Sequence, residues 1–257
     1  GLDKAISKNR ITQDLFMKDG QWLPQRAILH DKIIKDYLDQ TMAPAKDTVF
    51  MLGGAGANGK SSLTESGKLP HPKNSLVVDP DRIKSMIPEY NKLLQYESKD
   101  IKALAANFVH EESSYLAKEI RKKAFANNYA TVLDGVNDGS AEKIHKNAQE
   151  IRNMTGKKVR ADYVSLDTDL SLNLAYARSV KTGRTVPVDR LLADNKEISK
   201  QFPNILKNKS FDELYLWDTN ENGNPRLILS QINGNIKMYD EGLYKKFLSK
   251  ANYRATQ

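Results

Sequence analysis

The chain has 257 residues, a hydrophobic fraction of 39%, no cysteine, four histidines and a net charge of +8. This length and composition suit one large domain with a substantial core; the missing cysteines exclude disulfides and thiolate metal sites, and few histidines remain for zinc. No run reaches the roughly 18 to 20 apolar residues that span a bilayer, and the first residues, GLDKAISKNR, are too charged for a secretory signal.

No membrane partner is therefore expected, and the cytoplasm is the expected location. Because the chain starts with Gly rather than Met, it reads as a segment of a longer protein or as carrying a cloning scar. The lysines are scattered, with RKK at 121 to 123 and GKK at 156 to 158 the densest clusters. They read as solvated helix faces, which does not favour a nucleic-acid partner.

Residues 1 to 45 read as a helical segment, with LHDKIIKDYL (29 to 38) showing apolar positions at helical spacing. Residues 46 to 257 read as a second unit. After the break MAPAKD comes the strand TVFMLGG, a glycine-rich loop and a short helix from Lys60. SLVVD (75 to 79) is a second buried strand, followed by a long helical region that is clearest over 107 to 128. NYATVLDG (128 to 135) and KVRADYVSLD (158 to 167) are the third and fourth strands, and LSLNLAYARSVKTG (170 to 183) is a helix stopped at Gly183. DELYLWD (212 to 218) and PRLILSQ (225 to 231) form a closing strand pair, with a terminal helix after it. Alternating strands and helices at this spacing predict an α/β fold: a P-loop NTPase-type parallel sheet with helices on both faces.

The loop between the first strand and its helix reads GGAGANGKSS. Gly54, Ala55, Gly56, Ala57, Asn58, Gly59, Lys60 and Ser61 satisfy GxxxxGK[ST] in full. Small residues let backbone N–H groups approach a polyphosphate, and the following helix adds its unpaired amides. Lys60 supplies a cation to the β- and γ-phosphates, and Ser61 a hydroxyl to Mg²⁺, with Ser62 beside it. The expected ligand is ATP or GTP with Mg²⁺. The base-reading NKxD of GTPases is missing from the sequence, and the size favours a small kinase.

Ligands of open parallel sheets collect at the carboxyl ends of strands. There SLVVDPDRIK delivers Asp79 and Asp81, and ATVLDG delivers Asp134. One carboxylate beside the cradle can take the proton of a hydroxyl that attacks the γ-phosphate, while its neighbour caps the helix. Glu111 and Glu112 read as first-turn acids of a helix. Arg178 and Arg184 flank the end of the helix after the fourth strand, where they can close over a transferring phosphoryl group.

Together FMLGGAGANGKSSL, SLVVDPDRIK, VHEESSYLAKEI, NYATVLDG and AYARSVKTGRTVP resemble the zeta toxin family of P-loop kinases, over residues of about 48 to 190. The resemblance implies phosphorylation of the 3′-hydroxyl of the amino sugar in UDP-N-acetylglucosamine, and an antitoxin protein as partner. It implies Asp81 as the base, Lys60 and Ser61 on ATP and magnesium, and Arg178 and Arg184 as phosphate-binding arginines. Asp79, Lys84 and Asp134 would then face the acceptor, with a further carboxylate from Glu111, Glu112 or Glu119. Two positions depart from the pattern. Asp134 stands where the toxins carry a Glu and reaches one methylene less far, and Val136 lacks the hydroxyl of their Thr. Nicotinamide dinucleotides are acceptors of related kinases. The alternative readings are a polynucleotide or nucleoside kinase and a non-catalytic nucleotide-binding domain of a larger, phage-encoded protein.

Overall fold

The computed structural model describes residues 1–56, 59–135, 139–183 and 188–254. Two short helices, α1 (Leu2–Ser7) and α2 (Thr12–Phe16), lead into a small hairpin of β1 (Met17–Lys18) and β2 (Gln21–Trp22). Its two-residue turn, Asp19 and Gly20, has φ of 51° and 76°, the positive values that Asp-Gly hairpin turns select. Helix α3 (Pro24–Tyr37) follows.

The remaining strands are β3 (Thr48–Gly53), β4 (Leu76–Val78), β5 (Thr131–Asp134), β6 (Lys158–Ser165), β7 (Glu213–Asp218), β8 (Arg226–Ile232) and β9 (Asn235–Met238). Between them lie α4 (Lys60–Glu65), α5 (Pro80–Lys84), α6 (Pro88–Leu94), α7 (Lys99–Phe108), α8 (His110–Ala126), α9 (Ala141–Thr155), α10 (Thr168–Thr182) and α11 (Val188–Lys207). Helix α12 (Glu241–Ser249) closes the chain before a final 3₁₀ turn.

The seven strands from β3 to β9 form one sheet in the order β4-β5-β3-β6-β7-β8-β9. The first five run parallel, as crossover helices between strands require. The last two are antiparallel hairpin strands, so the expected parallel sheet is a mostly parallel one with an antiparallel edge.

The two sheet faces are unequal. Alternation sends Val49 and Met51 of β3 to one side and Phe50 and Leu52 to the other. Val49 and Met51 join the main core with Leu133, Val159, Tyr163 and Leu214, against apolar stripes of the helices. Phe50 and Leu52 form a small cluster with Val132 and the partly buried Leu69, while Leu63 of α4 packs with Val164 and Trp217 in a third small cluster. That thinner face also carries a buried ion pair, in which the Arg160 Nε and Nη2 atoms each lie 3.0 Å from the Asp162 carboxylate.

The N-terminal segment is knit into this architecture. Ile33, Ile34 and Tyr37 of α3 belong to the same core as the central strands. Two helices that strand-centred reading passed over, α9 and α11, complete the main layer. Ala141, Ile144, Ala148 and Ile151 form the buried stripe of α9, and Leu191, Ile198, Phe202 and Ile205 that of α11. Arg121, read as part of a solvated cluster, is instead buried, and its Nη2 donates to Asn147 Oδ1 at 3.2 Å.

Candidate active site

Strand β3 delivers the glycine loop at its carboxyl end, and two glycines there are required by geometry. Gly54 has φ of 122°, and a Cβ on it would lie 2.9 Å from the Val164 carbonyl oxygen. Gly59 has φ of 86°, and its Cβ would lie 2.7 Å from Thr219 Oγ1. Both conformations are ones that side-chain-bearing residues rarely adopt. Ala55 is buried, whereas Gly56 is exposed with nothing within 4 Å of its would-be Cβ. Ala57 and Asn58 lie outside the described residues.

Lys60 opens α4 immediately after this loop, and its Nζ sits 2.9 Å from Asp134 Oδ1 at the end of the adjacent strand β5. Ser61 is exposed at the next position. The Ser62 hydroxyl accepts a hydrogen bond from the Gly223 amide at 3.3 Å, which ties the start of α4 to the β7–β8 loop. A loop with two enforced positive-φ glycines, an open Gly56, a lysine and a free hydroxyl fits a nucleotide polyphosphate. The oxygen donors Ser61 and Asp134 fit a hard cation such as Mg²⁺.

The two aspartates after β4 differ in their surroundings. Asp79 is the N-cap of α5 and accepts the Asp81 amide at 2.9 Å. Burial raises its pKa, as do the charges of Asp134 and Asp81, with Lys60 opposing. Asp79, Asp81, Asp134 and Lys60 thus share one electrostatic neighbourhood at the carboxyl ends of three strands. Asp81 keeps a side chain 74% exposed, held at one oxygen by Lys84 Nζ at 3.3 Å. Lys84 itself is buried.

Around Lys84 lies a residue that sequence reasoning did not single out. His110, the first residue of α8, is half-buried, and burial and the nearby Lys84 lower its pKa. Lys143 and Arg190 also act on it electrostatically. The neighbouring Glu111 and Glu112 were the residues that pointed to this turn in the sequence. Glu111 is exposed there.

Glu112 belongs elsewhere. It has no exposed surface, and its oxygens accept from Arg26 Nε at 2.6 Å and Nη2 at 2.8 Å. His30 Nε2 adds a third contact at 2.7 Å. Burial alone would raise the Glu112 pKa, but hydrogen bonds from His30, Arg26 and Thr12 outweigh it and bring it down to about 2. This carboxylate anchors the N-terminal helices and offers no surface to a substrate. Glu119 pairs with Lys122 further along α8. Arg178 is exposed on α10, and Arg184 lies outside the described residues.

The sequence profile of the zeta toxin family matches residues 32–233. The chain belongs to the zeta toxin family. Among curated protein sequences none matches it. In fold it is similar to a chain of the AvrRxo1-ORF1:AvrRxo1-ORF2 structure with sulphate ions, at TM-score 0.72 and 21% identity over 93% of this chain and 76% of that one. The same pair with ATP gives 0.66 and 20%, with the same coverage. A structure from the PezAT toxin–antitoxin system of Streptococcus pneumoniae gives 0.57 and 14%, over 90% of this chain and 95% of that one. The zeta toxin profile covers the cradle, both aspartates after β4 and Asp134, and begins inside α3.

Proposed function

We propose that the protein is an ATP-dependent kinase that transfers the γ-phosphoryl group to a hydroxyl of a nucleotide-type acceptor, with a UDP-sugar such as UDP-N-acetylglucosamine as the first candidate. The observation that carries this reading is the division between Asp79 and Asp81. One carboxylate is spent on the α5 cap, and the other stands exposed two residues away. Asp134 and Lys60 lie close enough to Asp79 to act on its pKa. Family membership supports kinase-like chemistry, and the ATP-bound neighbour supports ATP as donor.

In this reading Gly54 to Ser62 cradle the triphosphate, and Lys60 neutralises its β- and γ-oxygens. Magnesium, held through Ser61 with Asp134 in reach, would supply Lewis-acid charge to those oxygens. Asp81 accepts the acceptor's hydroxyl proton as the new O–P bond forms and the bond to ADP breaks. Lys84 orients Asp81, and Arg178 and Arg184 stabilise the charge on the transferring group. Asp79, Asp134 and Glu111 line the acceptor side. Residues 46–257 make up the kinase unit, with 1–45 as a segment braced against it.

One neighbour structure pairs AvrRxo1-ORF1 with AvrRxo1-ORF2, and another comes from a toxin–antitoxin system; an antitoxin partner is proposed here on that ground. A cytoplasmic site of action accompanies it. Among the described residues no helix is long and apolar enough to cross a membrane.

The test measures ADP release with UDP-N-acetylglucosamine, nicotinamide dinucleotides and a panel of nucleosides and oligonucleotides. Wild type should turn over at least one acceptor, and Asp81→Asn should lose about a hundredfold or more in kcat. Equal rates for the two on every acceptor would overturn the assignment.

A further inference from the structure

We infer that Tyr37, at the end of α3, is a positioning residue for the base Asp81; this rests on the kinase reading above. Among the described residues, strand β4 is the edge of the large sheet, with β5 beside it. Its Leu76 amide donates inward to Ala130 of the neighbouring segment. By alternation Val77 and Asp79 turn their backbone groups outward, where no strand among the described residues meets them. The Tyr37 hydroxyl does. It donates to the Val77 carbonyl and accepts the Asp79 amide at 2.9 Å. One phenol thus takes the place of a missing strand at the point where β4 gives way to the Asp79-Pro80-Asp81 turn.

The ring is fixed as firmly as the hydroxyl. Tyr37 has no exposed surface and lies in the main core. The Arg82 guanidinium, one residue beyond Asp81, sits 4.4 Å from the ring centroid. Tyr37 therefore holds the turn from both sides: Asp79 through its amide and α5 through Arg82. Asp79 in turn fixes the Asp81 amide. A free edge at this point would let the carboxylate wander by more than the fraction of an ångström that oriented proton transfer tolerates.

Tyr37→Phe removes one oxygen and leaves the packing. Three measurements on the full chain separate positioning from plain stability. Amide exchange at Asp79, followed by NMR, should accelerate at least tenfold. With UDP-N-acetylglucosamine, or the panel nucleotide that wild type phosphorylates, kcat should fall about tenfold while the KM for ATP stays within twofold. Ile33→Val, a core change on the same helix, serves as the control: it should lower Tm to a similar degree and leave kcat unchanged.

Unaltered Asp79 exchange, or accelerated exchange with kcat within twofold of wild type, overturns the inference. An equal kcat loss in Ile33→Val overturns it as well. Should wild type phosphorylate nothing, the kinase reading falls by itself, and Asp79 exchange still decides whether Tyr37 holds the turn.

Discussion

Lys60 and Asp134 form an ion pair at 2.9 Å across the seam between the adjacent parallel strands β3 and β5. Each side chain is about one-fifth exposed, at 22% and 21%, so the pair is open to solvent and to a ligand. A triphosphate entering the cradle must share this ammonium group with Asp134 or displace it. A partly exposed pair of this kind is worth roughly 0.2–1 kcal/mol. Asp134→Asn should therefore tighten magnesium-free ATP by up to about fivefold while lowering turnover, because the proposed kinase reading gives the same carboxylate to the acceptor and the metal. Lys60→Ala should weaken ATP about a hundredfold. Calorimetry with and without EDTA reads both, and weaker magnesium-free binding in Asp134→Asn would refute the competition.

The loop glycines separate folding from ligand binding. Gly54→Ala places a methyl group 2.9 Å from the Val164 carbonyl at a φ of 122°. Strain of this type costs roughly 1–3 kcal/mol, and crowding adds to it. Gly56→Ala meets nothing within 4 Å and should leave stability within about 0.5 kcal/mol. If phosphate approaches along Gly56, that neutral substitution should nevertheless weaken ATP binding several-fold. Urea unfolding and calorimetry on the two variants give the comparison, and equal stability losses would mean that the loop geometry is misassigned.

Much of this was legible in the residues themselves because the chemistry is local. A strand, a GxxxxGK[ST] loop and a helix are contiguous, so their arrangement follows from spacing. The carboxylates after β4 and β5 are placed by the rule that parallel strands end together. Glu112 was not legible in this way. Its fate depends on Arg26, 86 positions away, and no periodicity connects the two. In sequence it is as good a first-turn acid as Glu111, and only the packing of α3 on α8 tells them apart. Tyr37 escaped for the same reason, since its partners belong to an edge strand that only the sheet order reveals. Helix α11 was hidden by Pro203 within it, a residue that ordinarily argues against a helix interior.

The buried cluster around Glu112 predicts a particular acid response. Its pKa in the folded chain is about 2, below the ordinary 4.5. A depressed carboxylate contributes stability that is present above the unfolded value and lost as pH falls through the folded one. The advantage of wild type over Glu112→Gln should therefore hold at pH 6 and shrink between about pH 5 and 2. At neutral pH, Arg26→Met strands Glu112 and removes the Arg26 contact to Glu89 at 2.8 Å, with an expected cost of about 3–5 kcal/mol. Denaturant titrations across this range check both. A gap between wild type and Glu112→Gln that stays constant to pH 2 would show that the fold does not hold the Glu112 pKa below its ordinary value.

Lys250 responds in the opposite direction along the pH scale. Its ammonium group donates to Ser165 Oγ at 2.8 Å and to the Leu166 carbonyl, tying the final turn to the approach of α10. Burial pulls its pKa down to about 8 from 10.5, although Asp167 and Asp218 pull the other way. Between those values the unfolded chain binds the proton that the folded chain has released, so stability rises with pH across this window. Below about pH 8 the cost of the buried charge is fully present. Relative to Lys250→Met, wild type should gain stability from pH 8 to 10, by about 2 kcal/mol. Chemical unfolding of the two proteins at pH 7, 8, 9 and 10 measures the gain. A difference that is flat over this interval would mean that Lys250 remains charged in the fold and that its two hydrogen bonds offset the desolvation in full.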